Sequence, residues 1–180
     1  PQHLKSALLL KLLKQTATES VLIFTRTKHR ADKIARQIAH AGFRVTSLHS
    51  NRTQGQRQQA LSGFKSGHFP IMVATDIAAR GLDIDSISHV INFDMPDTAD
   101  AYIHRIGRTG RAGNTGHALA FVNEKNSGIV RELREMLDEN DQVVPPWLSQ
   151  MSSFGGGGGG RGGGGRGRGG GGGRRGGGGS

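Results

Sequence analysis

Cysteine is absent from the 180-residue sequence, which excludes disulfide bonds and thiolate metal sites. The sequence also lacks any apolar run of about 18 residues, so no membrane-spanning helix is predicted. It opens on Pro1 with no signal-peptide pattern, which favours a cut end with part of the parent protein upstream. Together these absences predict a protein of a reducing, cytoplasmic compartment with no membrane partner.

Composition changes sharply near Phe154. Residues 155–180 comprise 20 Gly, 5 Arg and 1 Ser, whereas residues 1–154 carry 19 Lys and Arg against 14 Asp and Glu. A tail without apolar residues cannot bury a core, so we expect it to be disordered. Its arginines, including Arg161, Arg166 and Arg168, are predicted to tether RNA through salt-sensitive charge attraction. Alternatively, they only keep the protein in solution.

Short apolar runs alternate with segments of helical periodicity along residues 1–144. Strands are predicted near 21–25, 45–48, 71–75, 89–93 and 117–122, and helices near 4–14, 28–41, 53–66, 98–107 and 127–140. Strands that are apolar throughout are buried on both faces, and strand–helix alternation favours parallel pairing. The predicted fold class is therefore α/β, an open and mostly parallel sheet with helices on both faces.

Two prolines, Pro145 and Pro146, are predicted to block further helix and to end the domain. This divides the chain into a domain at 1–144, a linker or extension at 145–154, and the tail at 155–180. Four apolar residues either pack back on the core or belong to a loose hinge, and partial packing is favoured: Trp147, Leu148, Met151 and Phe154.

Polar side chains follow four of the predicted strands. Ligands bind beyond the carboxyl ends of strands in an open parallel sheet, so these loops predict a rim that binds a polyanion. The alternative is that surface loops are simply polar. The loops are Thr25–Lys28, His49–Arg52, Thr75–Asp83, and Asp94 with the helix that follows it.

The densest basic cluster is Arg105, Arg108 and Arg111. Spacing of three places these residues on one face if the helix persists, although the intervening glycines argue that it ends early. Three close guanidinium groups need an anion between them, and their geometry matches phosphate oxygens. The alternative is a set of salt bridges to Asp94, Asp97 and Asp100.

Other polar residues favour structural roles. The histidines at 3, 29, 40, 68 and 89 show no helical pairing with one another and are expected to be solvated, so no metal site is predicted. Asp83 and Asp85 have the spacing of an acid–base pair, but this spacing is common by chance on a loop, so no acid–base role is predicted for them. Asp76 is predicted to cap a turn or a helix.

Two long motifs carry a family resemblance. The stretch from Val73 to Ile84 (VATDIAARGLDI) resembles motif V of DEAD-box RNA helicases, and the stretch from Tyr102 to Arg111 (YIHRIGRTGR) resembles their motif VI. Residues 21–27 are similar to motif IV, and Gln54 to Arg57 resembles the Gln-x-x-Arg element. The resemblance covers residues 1 to about 144, implies a RecA-like C-terminal domain, and is nearest to the bacterial RhlE-type subgroup.

The resemblance implies roles for matching residues. Arg108 and Arg111 resemble arginine fingers that meet the γ-phosphate of ATP held with Mg²⁺ by the other domain. Asp83 resembles the carboxylate that accepts ribose hydroxyls. The residues His104, Arg105 and Arg80 resemble those that couple the nucleotide state to domain closure, with Arg80 also near the nucleotide. Contacts to the RNA backbone are implied for Thr25, Thr75, Gln54 and Arg57.

No Gly-x-x-x-x-Gly-Lys phosphate loop is present in the sequence. The chain is therefore expected to hydrolyse no ATP alone, and to act with an N-terminal RecA-like domain of the same protein. Its other expected partners are RNA and, through the family, the ribosome or the RNA-degradation machinery. Two alternatives remain: a non-catalytic RNA-binding module whose tail dominates binding, and half of a DNA helicase.

Overall fold

The structure is a computed structural model, and it describes residues 4–16, 19–82, 84, 87–111, 113 and 115–153. The predictions for Asp83, Asp85 and the Gly/Arg tail at 155–180 lie outside the described residues.

Five short strands form one sheet in the order β2-β3-β1-β4-β5, and every neighbouring pair is parallel. Their bounds are β1 (Val21–Phe24), β2 (Val45–Leu48), β3 (Ile71–Ala74), β4 (His89–Asn92) and β5 (His117–Ala120). All four residues of β1 and of β3 are buried, because these strands lie inside the sheet and are covered on both faces. The prediction of an open parallel sheet is confirmed.

Helices cover both faces of the sheet, as predicted. The helices are α1 (Lys5–Gln15), α2 (Lys28–His40), α3 (Gln54–Lys65), α4 (Asp76–Ala79), α5 (Ala99–Ile106), α6 (Ser127–Glu139) and α7 (Pro146–Ser153). None of the described helices combines the length and the apolarity that crossing a bilayer requires.

The pleat of β1 divides the core into two layers. Leu22 and Phe24 face one layer, which holds Phe64 of α3, whereas Val21 and Ile23 face the other, which holds Ile34 of α2. Each layer places a helix over alternate side chains of the same strand. The sheet is thereby fixed from both sides, and the loops at its carboxyl edge start from rigid strands.

The proline pair does not block helix formation, so that prediction is wrong. Pro146 is the first residue of α7, a position where its fixed φ suits a helix and its missing amide proton costs nothing. Helix α7 packs against α6 and buries Leu148, while Trp147 stays 52% exposed. Of these two residues only Leu148 is buried, so the packing of this segment is partial.

His89 and His117 stack at the amino ends of β4 and β5, with ring centroids 4.9 Å apart. Burial, and then the charge of His117, lower the pKa of His89. As the pH falls through about 6.5, His89 therefore takes up a proton more readily in the unfolded chain than in the folded one, and the folded state loses stability below that pH.

We expect His89→Gln to reduce this loss of stability between pH 7.5 and pH 5.5, measured by urea unfolding. The exposed-residue control His29→Gln should keep the full loss, and an equal loss in both variants would contradict the assignment.

Candidate functional site

The carboxyl ends of the parallel strands bring four loops to one edge of the sheet. Thr25 directly follows β1, His49 follows β2, Thr75 follows β3, and Asp94 lies just beyond β4. Backbone bonds join these loops, because the amide of Thr25 donates to Ala74 and the amide of Asp94 donates to Phe24. The residues predicted to form a polyanion-binding rim therefore share one edge.

Thr25 lies inside this rim. Its relative exposure is 0%, and its hydroxyl donates to the carbonyl of Thr27 at 3.4 Å. Residue Thr27 in turn caps α2 by accepting a bond from the amide of Arg30. The Thr25 side chain is not accessible for the predicted RNA contact, because it is enclosed where β1 passes into α2.

Arg105 is the most buried cation of the rim, at 3% exposure. Its guanidinium group binds both carboxylate oxygens of Asp76 at 2.6 Å, a bidentate geometry. Its Nη1 also donates to Asn92 Oδ1 at 2.9 Å and to the backbone carbonyl of Asp94 at 2.6 Å. The group lies 4.9 Å from the ring centroid of Phe24. Arg105 thus fastens α5 to α4 and to the end of β4.

Asp76 does not cap α4, so the prediction for it is wrong. It is the first residue of that helix, Thr75 holds the capping position without a side-chain bond, and the carboxylate of Asp76 is used by Arg105. An ion pair with a buried guanidinium is the stronger interaction. Asp76 therefore links the two segments that the sequence marks as motifs.

The alternative in which the three arginines pair with nearby aspartates is also wrong. Those carboxylates bind other side chains: Asp94 with Arg30 at 2.6 Å, Asp97 with Arg26 at 2.9 Å, and Asp100 with His104 at 3.6 Å. The last pair is exposed on both sides. Each aspartate is taken by a residue outside the set of three arginines, so that set keeps no carboxylate from this loop.

Arg108 and Arg111 lie on the turn that follows α5. The helix ends at Ile106, with Gly107 as its C-cap, as the glycines predict. Arg108 Nη1 donates to the carbonyl of Leu82 at 3.0 Å, and Arg111 Nε donates to the carbonyl of Gly107 at 2.6 Å. Within the part of the chain that the structure describes, neither forms a salt bridge. Among the described residues, both guanidinium groups bind only neutral acceptors.

A cavity of about 420 Å³ opens beside Arg108. Arg80, which is exposed, and His104 also line it, and the Asp76–Arg105 pair forms part of its wall. Basic donors on one side of a concave surface suit an anionic ligand. Among the described residues no set of three His, Asp or Glu side chains could hold a metal ion.

Gly116 supports the arginine turn, and the sequence patterns did not single it out. A Cβ at this position would lie 2.3 Å from the amide nitrogen of Gly110, so only glycine allows the two segments to approach. The hydroxyl of Thr109 bonds to the carbonyls of Ile87 and Ser88 and ties the same turn to the chain before β4. The recurrence of glycine at 107, 110, 113 and 116 is the signal that could have revealed this close approach.

The residues predicted to bind RNA beyond β2 lie at the start of α3. A capping box of Thr53 and Gln56 begins this helix, as predicted. Gln54 is exposed, while Arg57 and Thr75 are half-buried. Gln54 and Arg57 lie on the segment that follows β2, and Thr75 lies on the segment that follows the neighbouring strand, β3.

A network around Asp32 holds the loop that leads into α3. One carboxylate oxygen accepts from Ser47, His49 and Arg52, at 3.1, 2.8 and 3.1 Å. His49 Nδ1 accepts from the amide of Asn51, which assigns the proton to Nε2. Burial opposes ionisation of Asp32, but the bonds from His49 and Ser47 and the charge of Arg52 lower its pKa below the ordinary value.

Comparison with known proteins gives one consistent result. The model of the helicase conserved C-terminal domain matches residues 4–113. The chain is similar to the DEAD-box protein SrmB of E. coli, crystallised with regulator of ribonuclease activity A, at 36% identity and TM-score 0.72, over 82% of this chain and 88% of that one. It is also similar to the RNA helicase Prp28 of Chaetomium thermophilum, solved with ADP, at 34% identity and TM-score 0.75, over 82% of this chain.

A third relative is S. cerevisiae Dbp5, solved with RNA and ADP BeF3, at 28% identity and TM-score 0.69, over 85% of this chain. This chain spans only 37% of the Prp28 chain and 42% of the Dbp5 chain. The resemblance to the RhlE-type subgroup stays a prediction.

Proposed function

Because this chain belongs to the helicase conserved C-terminal domain family, as the C-terminal domain of a DEAD-box RNA helicase, we propose that it supplies two arginines to a nucleotide bound on another domain. The observation that carries this proposal is the hydrogen bonding of Arg108 and Arg111. Within the described part of the chain, both donate only to backbone carbonyls, on a turn at the rim of the sheet. An arriving phosphate can replace those neutral acceptors and gain a charge-assisted bond to each guanidinium group.

The nucleotide in this proposal is ATP with Mg²⁺, held mainly by an N-terminal RecA-like domain. ATP supplies the phosphoryl group that is transferred to water. The basic groups of Arg80, Arg108 and Arg111 fit the phosphate end of such a ligand. Their part is to neutralise charge that develops on the transferring group. The ribose contact proposed for Asp83 would lie one residue from the carbonyl of Leu82 that holds Arg108.

Arg105 and His104 have different parts in the proposal. Arg105 is enclosed by four hydrogen bonds, so it positions the end of α5 and does not touch the nucleotide. Through Asp76 it also fixes α4, which follows Thr75, and so couples the nucleotide side of the rim to the RNA side. His104 is exposed and lines the cavity, where it is free to contact the other domain.

The RNA contacts are proposed for Thr75, Gln54 and Arg57, with additional attraction from the tail arginines Arg161, Arg166 and Arg168. Groups of this kind bind phosphate and sugar and therefore carry no sequence preference. Domain closure over ATP would hold bound RNA in a bent form, which is the unwinding step, and hydrolysis would then release it. The domain boundaries at 144 and 154 and a cytoplasmic location belong to the same proposal. The crystallised complex of SrmB with a regulator of ribonuclease activity supports a partner in RNA degradation.

Deleting residues 155–180 tests the RNA surface of the folded domain. We expect the truncated chain to retain weak binding to labelled oligouridylate, because the rim keeps its own basic groups. Arg57→Ala should weaken that remainder by roughly tenfold and lower the salt slope by about 0.7, as loss of one phosphate contact predicts. Fluorescence anisotropy across a salt series measures both.

The matched control is Lys65→Ala, an exposed cation in the last turn of the same helix, α3. It should leave the affinity of the truncated chain nearly unchanged. Loss of all binding with the tail would favour the non-catalytic module. Equal competition by a DNA strand of matched sequence would favour the DNA alternative, because the 2′-hydroxyl distinguishes the two polymers.

A further inference from the structure

One end of the molecule is rich in bases and almost free of acids. Residues 33–70 contain six Lys and Arg residues and neither Asp nor Glu. These cations are Lys33, Arg36, Arg44, Arg52, Arg57 and Lys65. The nearest acid, Asp32, is already bound by His49, Ser47 and Arg52. This end, formed by α2, β2 and α3, is therefore a positively charged pole apart from the arginine turn.

The pole contains a cleft of about 590 Å³. Strand β2, an end strand of the sheet, contributes Val45, Thr46 and Ser47 to its lining. Helix α2 forms one wall and α3 the other, since they cover opposite faces of the sheet. The small side chains of Ala35, Ala39 and Ala60 line the cleft and leave it open.

The backbone of β2 borders this cleft, where Val45 and Thr46 are half-buried and Ser47 is buried. The carbonyl of Leu48 accepts from the amide of Thr75 at 3.2 Å, so Leu48 is directed towards β3. Peptide groups alternate in direction along a strand, and those of Val45 and Ser47 therefore point away from β3. An end strand of this kind is a template for an added extended chain.

The charge and the backbone together define the occupant. An extended peptide offers both amides and carbonyls to the peptide groups of β2 that point away from β3, whereas the phosphate groups of a nucleic acid have no donor for a carbonyl. Acidic side chains on such a peptide would meet the exposed guanidinium group of Arg36, which lines the cleft. Asp32 also lines the cleft, but its carboxylate is bound by Ser47, His49 and Arg52. A basic segment would be repelled by Arg36.

We propose that the β2 cleft is a docking site for an extended acidic segment of a partner protein, which adds to the sheet as a sixth strand beside β2. The site does not include the arginine turn or Thr75, so it is occupied independently of nucleotide. It gives the domain a means of recruitment that leaves Thr75 and the arginine turn free.

Selection of short random peptides displayed on phage, with the full 180-residue chain as bait, tests the proposal. The enriched peptides should be rich in Asp and Glu, and replacing those residues by Asn and Gln should weaken binding by roughly tenfold. In the chain, Arg36→Glu removes the charge match, and Ala39→Trp fills the cleft without changing charge. Each substitution should weaken binding of a fluorescein-labelled enriched peptide by roughly tenfold or more.

Two matched controls lie outside the cleft on exposed helix positions: Arg131→Glu on α6 and Ala7→Trp on α1. Both should bind the peptide like the parent chain. Circular dichroism establishes whether each variant is folded. If Arg36→Glu does not fold, Ala39→Trp alone tests whether the peptide binds in the cleft. Enriched peptides without acidic residues, no enrichment, or unchanged binding by Ala39→Trp would each overturn the proposal. So would weakened oligouridylate binding by Ala39→Trp with no effect on the peptide, since the cleft would then bind RNA.

Discussion

We expect that replacing Arg111 by Ala lowers RNA-dependent ATP hydrolysis by about a thousandfold when this domain is joined to an N-terminal RecA-like domain. The loss follows from the part proposed for the guanidinium group, because an arginine that meets the transferring phosphoryl group contributes about 10³–10⁵ in rate. The same is expected of Arg108→Ala. Steady-state phosphate release at saturating RNA measures the effect.

The fold should survive the Arg111 substitution. Its one bond in the described structure is to Gly107 on its own turn, at an exposed position. The urea midpoint should therefore match that of the parent chain. Arg131→Ala, an exposed arginine on α6, is the control for activity. A loss below roughly tenfold, or an equal loss for Arg131→Ala, would mean that residue 111 does not meet the phosphate.

Replacing Arg105 by Ala destabilises the domain by about 3 kcal/mol, near the lower end for breaking a buried ion pair. Its removal leaves the carboxylate of Asp76, the amide oxygen of Asn92 and the carbonyl of Asp94 without their donor. The cost stays at the lower end because Asp76 is 45% exposed and can be solvated. Urea unfolding followed by circular dichroism measures the difference.

Arg105→Lys separates charge from geometry in this network. Lysine keeps the charge but cannot bind Asp76 with two parallel bonds, so an intermediate loss is expected. Arg131→Ala should change stability by no more than about 0.5 kcal/mol. If Arg105→Ala unfolded at the same urea concentration as the parent chain, the ion pair of Arg105 with Asp76, which joins α5 to α4, would not contribute to stability.

Local patterns predicted most of the fold. The apolar run at Val21 and the pair of Thr53 with Gln56 identified β1 and the start of α3, since these signals depend on neighbours within one turn or one strand. Pro146 misled because a proline that ends one helix can also begin the next. Which of the two occurs depends on packing against α6, which no local pattern contains.

The candidate site was harder to predict because its contacts join distant segments. Asp76 and Arg105 are 29 positions apart, and they meet because β3, β1 and β4 are neighbours in the sheet. From spacing alone, the aspartates closest in sequence were an alternative set of partners for the arginines. Thr25 was expected to contact RNA from the family resemblance, but the start of α2 encloses its side chain. The end of α5, by contrast, followed from the glycines that come after it.

In the proposed function, this domain completes a catalytic site whose nucleotide is bound elsewhere. Phosphate release should therefore be compared for the 180-residue chain alone, for its N-terminal partner domain alone, and for the two joined, each with ATP, Mg²⁺ and RNA. We predict background rates for either part and RNA-stimulated hydrolysis only for the joined protein. ATP hydrolysis above background by the chain alone, unaffected by Arg108→Ala, would contradict this division of the site.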